Sequence, residues 1–460
     1  METKSIIEKL RKETELTVEL GNEGVSFTKE ALEGVGAKWL EDVSLLFTWQ
    51  HDGWKPGVVY PCCYKLPLGT PSKVLYSATS PYLVRKEDSA LILEKNGQFV
   101  TSIEFINRPK LYSMVDSDGV PMRSTMQWEA SSGVGYCIKS DCIYWKRDLQ
   151  CAFCNTSAST DKRKQDAGIM EPKPYQIGEG AAMGIACGCN SIACSCGTRP
   201  EKWLVDRFIA SLDSIEEHTG MSGICVINLP ALKNLENIDR LYEAGARALV
   251  IDQEVWDEDQ FKALCPGKAE TIGRDNWMRA IEYAAKYTKP EKGICFVLNA
   301  LVLGPEQKSK YIEAVEYWAD RNVPVLLAPW KVLPGSNLYG HRAPYTWWTM
   351  EVHDECMEIQ FKKMPWLLTK EFWQHTPHFC YNSARSVIWW DWIRRGLIEK
   401  GIITVEDQQI QDWQLAGVPW DHIQNVLTAK GIITEKDGHV RDWPKATSVP
   451  EPFEAEAAEV

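Results

Sequence analysis

The chain lacks any run of eighteen apolar residues, about the length a helix needs to cross a bilayer, so no membrane span is expected. Positive charge is also in deficit: 51 Lys and Arg stand against 63 Asp and Glu, a formal net charge of −12. Nucleic acid is therefore not expected as a partner, because phosphate binding rests on clustered cations. The opening Met1-Glu-Thr-Lys-Ser-Ile-Ile-Glu has neither the basic nor the apolar region of a secretory signal, and a cytoplasmic location is the expectation. In that compartment the fifteen cysteines read as reduced thiols or metal ligands, not disulfides.

What is present in excess is tryptophan, twenty in 460 residues. These rings either pack large aromatic cores or line a pocket for a planar substrate, and the core reading is preferred. The length suggests two to three domains. Residues 1–125 read as an α+β lead-in domain: a helix over 1–20, then short strands punctuated by Asp52-Gly53, Asn96-Gly97 and Asp118-Gly119, the dipeptides of tight turns. Leu91–Leu93 and Phe99–Phe105 alternate with period two about Asn96-Gly97, which predicts a hairpin. Cys62-Cys63 reads as two ordinary thiols.

From Gly133 the rhythm becomes strand, helix, strand, the mark of a parallel sheet. Strands are predicted at Gly133–Ile138, Ser191–Cys196, Ile224–Leu229, Ala248–Val255, Ile294–Leu303 and Val323–Leu333, with helices at Gln176–Cys187, Glu201–His218 and Leu235–Ala244. Asp275 is expected to cap the helix carrying Trp277, Ile281 and Ala284. Six such units over 126–340 describe an α/β fold, a partial (β/α)6 barrel.

Cys142-Ile-Tyr-Trp-Lys-Arg-Asp-Leu-Gln-Cys151-Ala-Phe-Cys154 is the stretch on which chemistry can centre. Structural zinc and closed iron–sulfur sites take four protein ligands; a set of three cysteines leaves one metal position open. Phe153, inside the last pair, can lie against a planar group beside that metal. Cys137 adds a fourth thiol, so a four-cysteine zinc site and buried free thiols both stay open on this segment alone.

The stretch resembles the radical S-adenosylmethionine (SAM) superfamily, in which three cysteines, the last preceded by an aromatic residue, hold a 4Fe–4S cluster whose fourth iron binds SAM. The commonest family spacing is C-x3-C-x2-C, so the first gap here is a departure, and the form Cys-x-Tyr-Trp…Cys-x-Phe-Cys is similar to a branch of unassigned substrate. The likeness extends over roughly 130–340. Val250-Ile-Asp252-Gln-Glu254 is similar to that branch's fourth-strand segment, Cys265-Pro-Gly-Lys268 to its Pro-Gly-Lys loop, and Pro334-Gly-Ser336 to the end of its last strand. The resemblance implies Cys142, Cys151 and Cys154 as cluster ligands. It places Gly197 and Thr198 in the turn that holds the SAM amino group, by backbone because the family's second Gly and Glu are missing. Glu254 would bind the ribose or amino group, and Val302 would lean on the adenine. Glu306 falls one place early for the family's strand motif.

Cys187, Cys189, Cys194 and Cys196 form a second group, read as structural thiols in preference to zinc or an auxiliary cluster. His353-x2-Cys356 and His375-x2-His378-x-Cys380 match no ligand motif. Residues 341–450 are a Trp-rich helical extension containing a repeat at an offset of thirty: Trp390…Lys400-Gly-Ile-Ile-Thr404 recurs as Trp420…Lys430-Gly-Ile-Ile-Thr434. Each copy reads as an amphipathic helix stopped by Gly, and the pair as a small appendage separable from the barrel. The acidic 451–460 reads as a disordered tail. The chain is thus expected to be a radical SAM enzyme that reductively cleaves SAM to a 5′-deoxyadenosyl radical and abstracts hydrogen from a small or medium organic substrate. A reductant such as ferredoxin or flavodoxin would serve it. No cobalamin motif Asp-x-His-x-x-Gly occurs. Radical methyl transfer, peptide modification, and a zinc or iron–sulfur scaffold are the alternatives.

Overall fold

The computed structural model describes residues 3–41, 59–129, 133–156, 171–189, 191–375, 387–406, 414–415, 418–419, 425–426 and 428–429. Each apolar run after Gly133 is a strand, and each lies parallel beside the one before it: β1 (Gly133–Lys139), β2 (Ser191–Cys196), β3 (Cys225–Asn228), β4 (Ala246–Val250), β5 (Val297–Leu303) and β6 (Val325–Pro329). β5 is buried at every position, as expected of a strand covered on both faces. The strand Gln127–Glu129 pairs antiparallel with β1 and adds a seventh at that edge. The sheet curls into a half-barrel.

Helices α1 (Pro174–Ala186), α2 (Glu201–Thr219) and α3 (Glu236–Glu243) connect β1 to β4 in turn. Three helices fill the β4–β5 connection, α4 (Glu258–Leu264), α5 (Pro266–Thr271) and α6 (Arg274–Ala285). After them come α7 (Lys308–Ala319) and, beyond β6, α8 (Thr346–Lys363). The expected cap of α6 is corrected. Gly273, at φ +86°, takes the N-cap position and Asp275 sits in the first turn; the chain enters this helix through a left-handed residue, which Gly adopts without strain.

Alternation sorts the strand residues onto two faces. Cys194, Ile227, Leu249, Val297 and Leu301 belong to the large core shared with the helices, whereas Ala193, Val226 and Ala248 form a small cluster in one row of the sheet. Six strands do not close a barrel, so that concave side needs cover. Leu298, with Val250 and Leu326 beside it, joins a separate core with Leu10 of the N-terminal helix and with Trp366, Trp389, Trp390 and Ile393.

The lead-in region is a helix, Thr3–Glu23, and a six-stranded sheet. Its hairpin is Ala90–Lys95 against Gln98–Phe105, turned by Asn96 and Gly97, both at positive φ. The C-terminal helix Val387–Glu399 corrects the expectation of a separable appendage. Trp389, Trp390 and Ile393 are 0–1 % exposed. Asp391 accepts a hydrogen bond from Thr14 Oγ1 and, at 2.8 Å, from Arg395 Nε. The apolar face of this helix is closed by the first helix of the chain and by the barrel. Gly401 ends it at φ +67°, the stop foreseen after Lys400. Most of the second copy and the acidic tail lie outside the described residues.

A chain ending at residue 385 would lose Trp389, Trp390, Ile393 and Leu397 from a buried core. Single large-to-small deletions there typically cost about 2–5 kcal/mol each, against a total stability of about 5–15 kcal/mol. The truncated protein is expected to melt without cooperativity or to aggregate. A calorimetric Tm equal to that of the full chain would show that the helix is dispensable.

Candidate functional site

All eight residues singled out above line one cavity of about 260 Å³ at the carboxyl ends of the strands: Cys142, Cys151, Phe153, Cys154, Gly197, Thr198, Glu254 and Val302. Cys142 follows β1, Gly197 and Thr198 follow β2, Glu254 follows β4, and Val302 lies in β5. Parallel sheets build their sites at this end.

The cysteine loop is held by close backbone approaches. Tyr144 is 1 % exposed, and a Cβ on Gly267 would stand 2.4 Å from its ring and 2.6 Å from the Leu149 carbonyl. Only Gly permits that approach. Gly267 N–H donates to Leu149 O at 3.0 Å and Ala152 N–H to Leu264 O at 2.8 Å. The Tyr144 hydroxyl meets Thr271 Oγ1 at 2.5 Å. Helix α5 is therefore a clamp on the loop. On the other side a Cβ on Gly197 would come within 2.7 Å of Cys142 Cβ, and Ile143 N–H donates to Thr198 O at 3.2 Å. The glycine at 197 is thus explained by the seat of Cys142 itself.

Contact with Cys265, then burial, pushes the Cys151 thiol well above the ordinary range. Burial raises Cys142, and pushes Cys154 up to about 12. Such groups stay neutral thiols until a metal cation deprotonates them. Three thiols from one loop, that of Cys151 buried and those of Cys142 and Cys154 partly so, are a soft donor set of the kind that suits an iron–sulfur cluster. Among the described residues no three His, Cys, Asp or Glu are gathered closely enough to share a single ion.

Lys268 was legible only as part of a loop motif, with no role. Its side chain is 12 % exposed, and Nζ donates at 3.0 Å to both Asp252 O and Glu254 Oε1. Nζ also stands 4.6 Å over the Trp277 ring, a cation–π distance. Burial, the largest single influence, would lower this ammonium, but Glu254 together with Cys151, Cys265 and Asp252 raises it above the usual lysine value. Glu254 itself is at φ +73°, rare for a residue with a side chain. It is fixed there by Glu254 N–H to Ala300 O at 2.9 Å and Val302 N–H to Glu254 O at 2.8 Å. Asn228 Nδ2 donates to Asp252 Oδ2 at 3.1 Å.

Other candidates resolve into structural tasks. Buried Glu306 accepts from Trp256 N–H at 2.9 Å and Asp257 N–H at 2.7 Å, fixing the loop after β4. Cys189 Sγ lies 2.8 Å from Ser191 O, and Cys194 packs 3.7 Å from Cys225 on the helix side of the sheet. Cys137 is buried, with Sγ 3.2 Å from Lys139 O, and it lines the same cavity as the triad. His353 is buried with Nε2 3.1 Å from Leu327 O, and burial lowers it to about 4. His378 and Cys380 lie outside the described residues.

A three-cysteine loop thus follows the first strand of a six-stranded parallel half-barrel, the arrangement that the sequence resemblance to the radical SAM superfamily implies. No protein-family model matches the chain. Over 135 residues it is 24 % identical to the bacteriochlorophyllide c C-7(1)-hydroxylase of Chlorobaculum limnaeum, an alignment covering 29 % of this chain and 33 % of that protein. The match thus spans about a third of the curated relative's length. Among solved structures the chain is similar to methylornithine synthase (PylB), at 16 % identity over 52 % of this chain and 64 % of that one, TM-score 0.39. It is also similar to the FeFe-hydrogenase maturase HydG of Carboxydothermus hydrogenoformans, at 13 % identity over 51 % and 52 %, TM-score 0.35.

Gly267→Ala puts a methyl into the Tyr144 ring, so the cysteine loop must lift. The variant is expected to stay folded, since α5 is a single short element, but to bind roughly tenfold less iron on reconstitution, by the weight that supporting contacts carry at metal sites. Iron assay together with a thermal melt checks it. Full iron loading would show that the loop does not depend on this interlock.

Proposed function

We propose that Cys142, Cys151 and Cys154 hold a 4Fe–4S cluster and that the chain cleaves SAM reductively to abstract hydrogen from a small or medium organic substrate. The observation that carries this reading is that the triad and the five residues expected to meet SAM line one cavity. When bound, the cluster supplies the electron that breaks a sulfonium C–S bond of SAM, giving methionine and a 5′-deoxyadenosyl radical.

The protein's own part is geometry and the exclusion of water. Phe153, Gly197 and Thr198 border the cluster position. Glu254, steadied by Lys268, offers a carboxylate to the ribose or the amino group of SAM. Val302, buried on β5, presents an apolar face to the adenine. A ferredoxin or flavodoxin would deliver the electron. The curated relative is named for a hydroxylation at a defined carbon, which is in keeping with attack on a C–H bond.

Reconstituted protein reduced with dithionite is expected to turn SAM into 5′-deoxyadenosine, slowly without substrate. Replacing the three triad cysteines by Ala should remove about four irons per chain and all cleavage. Cys137→Ala should leave the iron unchanged. Chromatography finding no 5′-deoxyadenosine from fully loaded wild-type protein would sink the reading. Iron lost with Cys137→Ala but kept with Cys142→Ala would reassign the first ligand.

A further inference from the structure

One row of residues runs in register across five strands of the half-barrel. Gln127 stands opposite Gly135, Gly135 beside Ala193, Ala193 beside Val226, and Val226 beside Ala248. Residues paired across a sheet share a face, so all five lie on the concave side. The other four have small side chains or none, which leaves Gln127 as the polar member of the row. Cys137, Ser195 and Asn228 form the next row on the same face. Gln127, Gly135, Cys137, Ser195 and Asn228 all line the cavity.

The neighbouring polar groups are already engaged. Ser195 Oγ lies 3.4 Å from Tyr136 O, and Asn228 Nδ2 donates to Asp252 at 3.1 Å. Gln127 differs. It is 4 % exposed, and its Nε2 is buried with no acceptor among the described residues. Its strand neighbours cannot supply one from a side chain: Gly135 has none, and on the other side the sheet ends. An unmade hydrogen bond at a buried donor is costly, and buried polar groups in native folds are nearly always paired. The partner of this amide must come from what fills the cavity.

The charges around the cavity select the kind of acceptor. Four lysines line it among the described residues. Lys139 is held by Glu171 at 2.6 Å and Lys268 by Glu254 at 3.0 Å, while Lys73 and Lys331 have partners of their own. A carboxylate placed here would find each of these cations committed and would share the cavity with Asp252 and Glu254. Burying a charge without a partner costs far more than burying a neutral carbonyl that receives its hydrogen bond.

We infer that Gln127 is a specificity-determining residue, whose amide N–H donates to a neutral carbonyl oxygen of the substrate seated against Gly135. The inference rests on the proposed SAM chemistry for calling that substrate the hydrogen donor, but its test reads binding, not turnover.

SAM also carries acceptor atoms, so the test must separate the two sources. 1-Indanone, indane and indane-1-carboxylate are titrated calorimetrically into the reconstituted full-length protein holding SAM. The ketone is expected to bind about tenfold more tightly than either analogue, the worth of a hydrogen bond to a donor otherwise buried and unpaired. Gln127→Met keeps the length of the side chain and deletes the N–H. It should bring the ketone to the level of indane and leave indane and SAM affinity within about twofold. Because it removes an unpaired donor, it should also melt no lower than the wild type. Equal binding of the three probes, tighter binding of the carboxylate, or no binding of the ketone overturns the inference. So does a fall in SAM affinity in Gln127→Met, which would assign the amide to SAM, or a lower Tm, which would give it a structural partner. Failure of SAM cleavage with the ketone preference intact would sink the radical reading and leave Gln127 as the recognition residue for a carbonyl ligand.

Discussion

The site depends on a contact that a single methyl group would prevent. Among the described residues the stretch from Cys142 to Cys154 has the one-turn helix Trp145–Arg147 as its regular structure, so its position must come from what it touches. Tyr144 lies over Gly267, and Cys142 lies over Gly197. Both contacts place loop backbone or ring where any other residue's Cβ would stand, and interiors at crystal-like density do not absorb such a clash. The loop is thereby held from two different strand ends, one after β2 and one in the β4–β5 connection. Three thiols can then be presented with little entropy left to lose when a metal centre binds them.

The same connection sets the electrostatics. Lys268 is one residue beyond the glycine on which Tyr144 rests, so the turn that clamps the loop also carries the buried cation. Burying Lys268 and Glu254 together would cost several kcal/mol per ion if either stood alone. The pair is kept by two hydrogen bonds from the ammonium and by the Trp277 face beneath it. Such a pair adds little net stability. Its effect is directional, turning a residue at positive φ into a fixed carboxylate at the cavity wall, which is a form of preorganisation. Strain of about 1–3 kcal/mol at such a backbone position persists only where surrounding bonds enforce it, and the β5 backbone does so here.

How much of this was legible in the sequence follows from the range of each interaction. The six parallel strands were visible because a strand buried on both faces reads as an unbroken apolar run, and Ser191–Cys196 emerges with its predicted bounds. The triad was visible because its spacing is local. Lys268 was not, since its importance lies in contacts with Glu254, fourteen residues away, and in a glycine whose partner is more than a hundred positions earlier. The C-terminal helix was misjudged for a related reason. An amphipathic pattern announces an apolar face but not what covers it, and the cover turned out to be Leu10 and the sheet. Sequence excess did carry that information in blurred form, because the surplus tryptophans Trp366, Trp389 and Trp390 are what fill the opening.

An incomplete barrel has two exposures, and this chain closes them with different material. The floor is closed by apolar bulk from the N-terminal helix and the C-terminal tryptophans. The lateral wall beside the cavity is finished by Gln127 and Lys73, both supplied from before β1. A tryptophan floor excludes water and does nothing selective. A buried donor such as Gln127 Nε2 imposes a chemical demand on whatever fills the cavity, because a polar group left unpaired there rejects a ligand that cannot match it. Residues that follow the parallel strands and residues supplied from before β1 therefore meet at one cavity, and any ligand held there must satisfy both sets.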